Sequence, residues 1–395
     1  AHDGSATTAL YTNFPDKSRL SFGTSHDLSI YHDGTNSLVD NTTGHLYFYQ
    51  KADDKDIIFL CDDGSGGTTT YFQLDGSATE IVLAKPVTGN QSFNGIPFFS
   101  DASNSSMYTH DVSGTDNTAV GNTAYGFNAL DAITTGDYNI AIGYGAGGAI
   151  NTGERNVLMG YAAGDALTSG NYNTAIGHGA LSAEDTHGNN VAIGYKALNV
   201  QNAGADAYNI AVGYQAGVAV TTGTNNTIVG GLAGDALTTG SSNIAIGYAA
   251  LGGEDTGSRS IAIGEGSLQV QNNDANNYNI AIGHHAGHLV STGTLNTLVG
   301  GLAGDSLTTG GDNVAIGYAA LKTEDAHGKN IAIGVQALED QDAGANAYNI
   351  AIGHQAGRDI TTGLNNILIG GLAGDALTSG HRNVAIGYEA LSTED

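Results

Sequence analysis

Three histidines lie close together in the chain, at His284, His285 and His288. Imidazole nitrogens are common ligands of zinc and other divalent transition metals, so this cluster could hold an ion. The corresponding positions of other repeats hold Tyr, Gly or Gln, and nothing in the spacing requires a metal. One histidine per chain near the axis of a trimer could also bind an ion. We predict surface histidines and no metal ligand, with a metal site as the alternative.

Adjacent carboxylates recur every 70 residues, as four Glu-Asp pairs. Their composition suits a glycosidase acid–base pair or a calcium loop, but adjacent side chains on a turn seldom converge on one bond. Four copies indicate a repeated surface feature, and no Ser-His-Asp arrangement or phosphate loop stands out. We predict no catalytic residue, no enzyme activity and no cofactor, with calcium or another ion at the acidic loops as an alternative. The pairs are Glu184/Asp185, Glu254/Asp255, Glu324/Asp325 and Glu394/Asp395.

These residues belong to a repeat with the pattern Asn-x-Ala-Ile-Gly. Successive copies begin 17, 17, 17 and then 19 residues apart, so four copies make a block of 70 residues. Such a period indicates one small unit stacked many times along an axis. The motif occurs sixteen times, with Ser260 at the Asn position of one copy. The asparagines from the second copy onward are Asn139, Asn156, Asn173, Asn190, Asn209, Asn226, Asn243, Asn279, Asn296, Asn313, Asn330, Asn349, Asn366 and Asn383.

Each copy predicts one short strand, because β-branched residues alternate with Ala beside Gly and Asn. We predict that a tight Gly turn, a second short extended piece and a Thr/Gly turn complete one coil. The chain is therefore predicted to be all-β, a parallel β-roll or β-solenoid with rungs of about 17 residues. A glycine at the strand end implies positive φ or close backbone contact. These glycines include Gly143, Gly160, Gly177, Gly194, Gly213, Gly230, Gly247 and Gly264.

Stacking places equivalent residues about 4.8 Å apart, so the asparagines are predicted to form ladders of side-chain amides. A channel lined by Asn for a ligand or ion is the alternative. Alternation places Ile140 and Ile142 on one strand face and Ala141 on the other. We predict that the isoleucines form the core and that the alanines, such as Ala192, Ala245 and Ala332, face outward against copies of the same chain. The two residues added in every fourth unit predict loops on one side.

Composition limits the function. The chain of 395 residues has 12 Lys and Arg against 39 Asp and Glu, for a net charge of −27. Nucleic-acid binding needs a positive surface, and this balance argues against it. Cys61 is the only cysteine, so the chain forms no internal disulfide. No apolar run of 18 residues predicts a membrane span.

The first 88 residues lack the repeat and are rich in aromatic residues, which predicts a separate β-rich module. Strands are predicted at Leu46–Tyr49, Ile57–Cys61, Thr69–Leu74 and Glu80–Leu83, with turns at Asp33-Gly34, Asp63-Gly64, Gly66-Gly67 and Asp75-Gly76. Residues 89–113 are predicted to be a linker or irregular neck, and residues 114–395 the repeat shaft. The shaft stops inside a repeat, so we expect the natural chain to continue beyond Asp395.

The repeats from Asn173 and Asn279 resemble those of trimeric autotransporter adhesin heads, although those are shorter. The resemblance implies left-handed parallel β-rolls packed as three chains. The segment from Leu20 through Asp27 to Ser37 is similar to segments of tail-fibre and other virion structural proteins of marine bacteriophages. Those proteins often combine it with repeats like the one at Asn117 and end in a self-cleaving chaperone, which this chain does not contain.

These resemblances imply a homotrimeric shaft of a phage tail fibre, or of a similar surface appendage, that mediates attachment to a host surface. The expected partners are copies of the chain, host-surface glycans or receptors, and other fibre proteins. The expected location is the virion or the cell exterior. A bacterial surface adhesin or extracellular filament is the alternative, and a glycan depolymerase is less favoured.

Overall fold

The computed structural model describes residues 14–62, 64–75, 80–83, 91–93, 96–101, 106–108 and 118–393. Within these ranges the regular elements are β-strands, and no helix that could cross a membrane is present. The chain divides into two compact units, Ala1–Thr88 and Gly89–Asp395. Among the residues named above, Asp63, Gly76, Asn117, Glu394 and Asp395 lie outside the described ranges.

The first unit contains two antiparallel sheets of three strands each. One has β1 (Arg19–Phe22), β2 (Leu28–His32) and β3 (Ser37–Asn41), and the other has β4 (Ile57–Asp62), β5 (Thr68–Asp75) and β6 (Glu80–Leu83). Asp33 makes the turn between β2 and β3, because its Oδ1 accepts the backbone N–H groups of Thr35 and Asn36 at 2.8 and 2.7 Å. These hydrogen bonds lower the pKa of Asp33.

The second sheet confirms three of the predicted strands, whereas the predicted strand Leu46–Tyr49 is wrong. That segment has irregular backbone, and its side chains are exposed. Tyr47 and Tyr49 stack on each other with ring centroids 5.6 Å apart. Aromatic residues favour strands only where a neighbouring strand completes the ladder and a packed face, and none of the described strands pairs with this segment.

Three strands lie in the segment predicted to be an irregular neck. They are β7 (Gln91–Phe93), β8 (Ile96–Asp101) and β9 (Ser106–Tyr108), joined as antiparallel pairs. Strand β9 then pairs in parallel with the first repeat strand, β10 (Thr123–Tyr125). An unpaired edge would leave backbone N–H and C=O groups without partners, and β9 covers the edge of the first repeat strand.

The repeats form a parallel β-solenoid with one three-residue strand per rung, as the 17-residue period predicts. Strands pair in register, so Ile140 lies beside Val157 and Val157 beside Thr174. The strands after β10 are β11 (Ile140–Ile142), β12 (Val157–Met159), β13 (Thr174–Ile176), β14 (Val191–Ile193), β15 (Ile210–Val212), β16 (Thr227–Val229), β17 (Ile244–Ile246), β18 (Ile261–Ile263), β19 (Ile280–Ile282), β20 (Thr297–Val299), β21 (Val314–Ile316), β22 (Ile331–Ile333), β23 (Ile350–Ile352), β24 (Ile367–Ile369) and β25 (Val384–Ile386).

The predicted second extended piece is wrong, because the residues after each strand form turns. In the rung of β17, Gly247, Ala249 and Leu251 have φ values of 134°, 52° and 53°. The intervening residues lie outside this left-handed region, so the chain alternates between two backbone conformations. Neighbouring rungs satisfy the turn: the N–H of Ala249 donates to the carbonyl of Gly231 at 3.0 Å. Glycine and unbranched residues tolerate this backbone better than Ile or Val.

The centre of each repeat strand faces the interior, which reverses the predicted orientation. Ala192, Ala245 and Ala332 are at most 1% exposed. The first and third residues of β10 to β25 are partly or largely exposed in every rung. The interior of a 17-residue coil is narrow, and buried leucines of the turns, such as Leu237 and Leu251, already fill it. Alanine is therefore the size that fits beside them.

The interior packing also explains part of the 70-residue period. Once per block the strand centre is a large residue, at Leu158, Ile228, Leu298 and Leu368. At those levels the turns carry glycine: a Cβ on Gly147 or Gly164 would come within 2.6 or 2.8 Å of the Leu158 side chain. Where the strand centre is Ala192 or Ala245, the turn carries a buried leucine instead. A large residue at the strand centre is thus matched by glycine in the turn, and alanine at the strand centre by leucine in the turn. This complementarity keeps the core filled.

We predict that Gly247→Ala lowers the melting temperature far more than Gly344→Ala. A Cβ on Gly247 would lie 2.6 Å from the backbone carbonyl group of Gly264 in the next rung, and its φ of 134° is strained for alanine. Gly344 also has positive φ, at 63°, but nothing lies within 4 Å of its Cβ position. The control should therefore cost only about 1–2 kcal/mol. Thermal unfolding by circular dichroism measures both, and equal shifts would refute tight backbone stacking.

Candidate functional site

The asparagines form a ladder inside the wall of the solenoid. Backbone N–H groups make most of its steps: Asn156 donates to Asn139 Oδ1 at 3.0 Å, and Asn173 to Asn156 Oδ1 at 2.9 Å. Most Nδ2 groups donate to a carbonyl further along their own rung, as Asn139 does to Gly153 at 2.8 Å, whereas Asn190 donates to Gly188 and Asn330 Nδ2 has no hydrogen bond within the described residues. Direct amide contacts also occur, between Asn156 Nδ2 and Asn139 Oδ1 at 3.0 Å. The predicted asparagines are buried apart from Asn383 in the last rung, so they form a structural wall and do not line an open channel.

The glutamates of the Glu-Asp pairs are buried, although sequence analysis interpreted the pairs as surface features. The side chains of Glu184, Glu254 and Glu324 are fully inaccessible to solvent. Of the adjacent aspartates, Asp185 and Asp255 are partly exposed and Asp325 is exposed. A glutamine follows each glutamate by 17 residues, and Gln271 Nε2 donates to Glu254 Oε2 at 2.8 Å. A buried carboxylate needs such donors. The constant Glu–Gln offset was the sequence signal for burial.

The three described 70-residue blocks surround this buried carboxylate with two different sets of neighbours. In the block of Glu254, the side chain of Asn277 donates to Oε2 at 2.9 Å and the N–H of Gly257 donates to Oε1 at 2.7 Å. A Cβ on Gly257 would lie 2.4 Å from Asn277 Nδ2, so a larger residue does not fit there. The other two blocks carry histidine at the Gly257 position and alanine at the Asn277 position. Histidine thus replaces asparagine beside the buried glutamate.

The histidine version leaves one carboxylate less well satisfied. Glu324 Oε1 accepts the N–H of His327 at 3.1 Å, and His327 Nδ1 lies 3.5 Å from the same oxygen. Its Oε2 is buried without a hydrogen bond within the described chain, because Gln341 donates to the carbonyl of Thr361 instead. Burial raises the pKa of Glu324, opposed by the hydrogen bond and charge of His327.

Three groups of side chains in the described residues bring possible metal ligands within 4.8 Å of one another. Two are the Glu-Asp-His groups at Glu184/Asp185/His187 and Glu324/Asp325/His327. The third brings together His285, His288 and Asp305, and only its histidines were singled out from the sequence. Asp305 belongs to the next rung, so its proximity depends on the stacking and could not be read from local spacing.

The outward face of the repeat strands is exposed along the whole solenoid. We name the first and third residues of β10 to β25 the apolar face: they are Ile, Val and Thr apart from Tyr125 and Met159, and none carries a charge. Ile282, Ile316 and Ile352 on this face are 37–38% exposed. Sixteen rungs of three residues span an area on the order of 750 Å². Monomeric proteins seldom expose a continuous apolar surface of that size without a partner.

Two columns of larger side chains border the apolar face. On one side Tyr144, Tyr161, His178 and Tyr195 stack with ring centroids 4.9–5.4 Å apart. On the other side, the residues that precede each asparagine include five tyrosines and four cations, together with Asn, Ser, Leu and Asp312. The guanidinium of Arg155 lies 5.4 Å from the ring centroid of Tyr138. Further tyrosine–cation contacts of this column are Arg259 with Tyr278 and Lys329 with Tyr348.

Comparisons with protein families, with curated proteins and with solved structures give no match for this chain.

We predict opposite effects for two equivalent substitutions, Glu324→Gln and Glu254→Gln. The raised pKa of Glu324 means that the folded chain binds more protons than the unfolded chain between the two pKa values, so stability falls as pH rises through that interval. Glu324→Gln removes this loss and should raise the melting temperature at pH 7.

The Glu254→Gln substitution should instead lower the melting temperature. Its new N–H donors would face Gln271 or Asn277, and an unsatisfied buried donor costs about 1–3 kcal/mol. Thermal unfolding between pH 4 and pH 8 distinguishes the pair. A loss of stability in both variants at pH 7 would contradict the assigned difference between the blocks.

Proposed function

We propose that the chain is a structural fibre protein whose β-solenoid is the shaft of a phage tail fibre or a similar surface appendage. The observation that carries the proposal is the apolar face, which continues without a charge through sixteen rungs. The occupant of this face is a second and third copy of the same chain, packed side by side and parallel. Attachment of the appendage to a host surface is its biological role.

Periodicity supports a copy of the chain as the partner. The rungs follow a 17, 17, 17, 19 spacing, and a parallel copy in register reproduces this order at every level. The apolar face has an area on the order of 750 Å² per chain, which is close to the area that one partner buries in a stable interface. A three-chain arrangement adds a contact on each side of every chain.

Charge also supports self-association through this face. The chain carries a net charge of −27, so contact through most of its surface brings like charges together. Four of its 12 Lys and Arg residues lie in the column beside the apolar face, at Arg155, Arg259, Lys329 and Arg382. This border is favourable to an acidic partner, and another copy of the chain is acidic.

The N-terminal resemblance favours a phage fibre over a bacterial adhesin or an extracellular filament. Strand β2 and its following turn contain the Ile-Tyr-His-Asp-Gly motif, Ile30 to Gly34, on which that resemblance rests. A bacterial surface filament remains the second candidate, because the apolar face would serve it equally. The attachment role is tested by measuring adsorption of the purified fibre to a panel of cell isolates. Adsorption to some isolates and not to others would identify that role.

We predict that the full chain forms a particle of three times the chain mass and that Ile316→Glu with Ile352→Glu dissociates it. The two glutamates would place unpaired charges in the buried interface, where desolvation is costly. The control is Thr239→Glu, which adds one glutamate at an exposed turn outside the apolar face.

Mass photometry and negative-stain electron microscopy measure the outcome. Wild type and Thr239→Glu should give thin three-chain rods, and the double variant should give single chains with an unchanged far-ultraviolet spectrum. A wild-type chain that stays monomeric at micromolar concentration would refute the proposal.

A further inference from the structure

We infer that His285, His288 and Asp305 form a binding site for one divalent transition-metal ion of the zinc class. The site joins two rungs: both histidines follow β19, and the aspartate follows β20. Backbone hydrogen bonds hold the rungs together at this level, since the N–H of Leu289 donates to the carbonyl of Asp305 at 3.0 Å. Each residue offers a ligand atom, and the three atoms lie within 4.8 Å of one another.

Hydrogen bonding fixes which nitrogen of His288 is free. Its Nε2 lies 3.0 Å from Gln269 Oε1, an acceptor, so Nε2 carries the proton and donates. In this tautomer Nδ1 has a lone pair, and it lies 3.9 Å from Asp305 Oδ1. That oxygen is buried and has no hydrogen bond within the described chain. Two acceptor atoms therefore face each other with no proton between them, and a cation is the species that would satisfy both.

Three histidine rings stack on one another at this site. His284 and His285 stack with centroids 4.1 Å apart, and His285 and His288 with centroids 4.4 Å apart. Burial, followed by the charges of His284 and His288, lowers the pKa of His285, while Asp305 and Glu265 oppose the shift.

The equivalent aspartates of the other blocks lack these histidines, and Oδ1 of Asp165 and of Asp375 is likewise buried without a hydrogen bond within the described residues. Seventy residues earlier, Gln215 and Val218 replace the two histidines, and burial raises the pKa of the corresponding Asp235. Seventy residues later, Arg358 takes the place of His288 and carries its own positive charge near Asp375. The block of Asp305 has neither the arginine nor the valine but a pair of metal ligands.

The donor set selects the class of ion. Two imidazole nitrogens and one carboxylate suit Zn²⁺, Ni²⁺, Co²⁺ or Cu²⁺, whereas Ca²⁺ and Mg²⁺ prefer oxygen donors. Metal–ligand bonds of about 2.0–2.2 Å require the ligand atoms to lie closer together than 4.8 Å. Rotation of the partly exposed side chains would bring them to that distance. His288 and Asp305 are 27% and 22% exposed, so an ion has access and water can complete its coordination. The bound ion would clamp two adjacent rungs.

Zinc titration of the untagged full chain by isothermal calorimetry tests the site. We expect saturable binding with one tight ion per chain, no comparable binding of Mg²⁺, and a higher melting temperature with zinc that chelation reverses. The test variant is His285→Gln with His288→Val, the residues that the preceding block carries at these positions. It should bind zinc at least about tenfold more weakly and keep the melting temperature of the chelated wild type.

A second variant, His187→Gln with His327→Gln, removes the histidines of the two Glu-Asp-His groups. It should bind zinc at the tight site like the wild type. Loss of the tight site in this variant with retention in His285→Gln/His288→Val would overturn the assignment, as would a wild-type chain without saturable zinc binding. Asp305→Asn, which preserves shape, should weaken zinc binding as the histidine variant does, and unchanged affinity would also contradict the site.

Discussion

Backbone packed directly on backbone, at the glycine that ends each repeat strand, is the contact on which the array depends. A Cβ at Gly143 would lie 2.5 Å from the carbonyl oxygen of Gly160, and Gly160 meets Gly177 in the same way. Because the carbonyl cannot move without breaking the parallel ladder, every rung must return to the same point after its turn. Equivalent residues consequently lie above one another, and the asparagine ladder, the aromatic column and the apolar face all follow from this stacking.

A fixed stacking distance leaves interior volume and buried charge to be balanced within each block of 70 residues. Leu158 and its equivalents displace the turn leucines and require glycine on both sides, while Glu254 and its equivalents require amide or backbone N–H donors from their own rung or the next. Gln201 and Gln271 each supply one donor, Asn277 supplies another, and in the other two blocks the backbone N–H of His187 or His327 donates. The glutamines and Asn277 lie in the long fourth rung of the block, whereas the histidines lie in the rung of the glutamate. The super-repeat is therefore a packing and hydrogen-bonding unit.

Much of this architecture could be predicted from the sequence, because residues that recur at a fixed spacing show which positions of the rungs are equivalent. The spacing of the asparagines predicted the rungs, and alternation predicted each short strand. Alternation does not tell which face is inside, and the greater hydrophobicity of Ile140 and Ile142 pointed to the wrong one. The deciding quantity is the interior width, which depends on turn leucines such as Leu181. Contacts between rungs were equally inaccessible, so the burial of Glu184 and the approach of Asp305 to His288 emerged only from the structure.

The proposed trimer places different requirements on the two borders of the apolar face. In a cyclic arrangement the contact is heterologous, so one border of each chain meets the opposite border of its neighbour. The border before the asparagines carries Arg155, Arg259 and Lys329 beside tyrosines, and the border after the glycines carries stacked Tyr and His rings with Glu265. Cations against aromatic rings are a favourable pairing, whereas an antiparallel two-fold contact would bring each border against itself. The asymmetry of the borders thus favours parallel chains over an antiparallel pair.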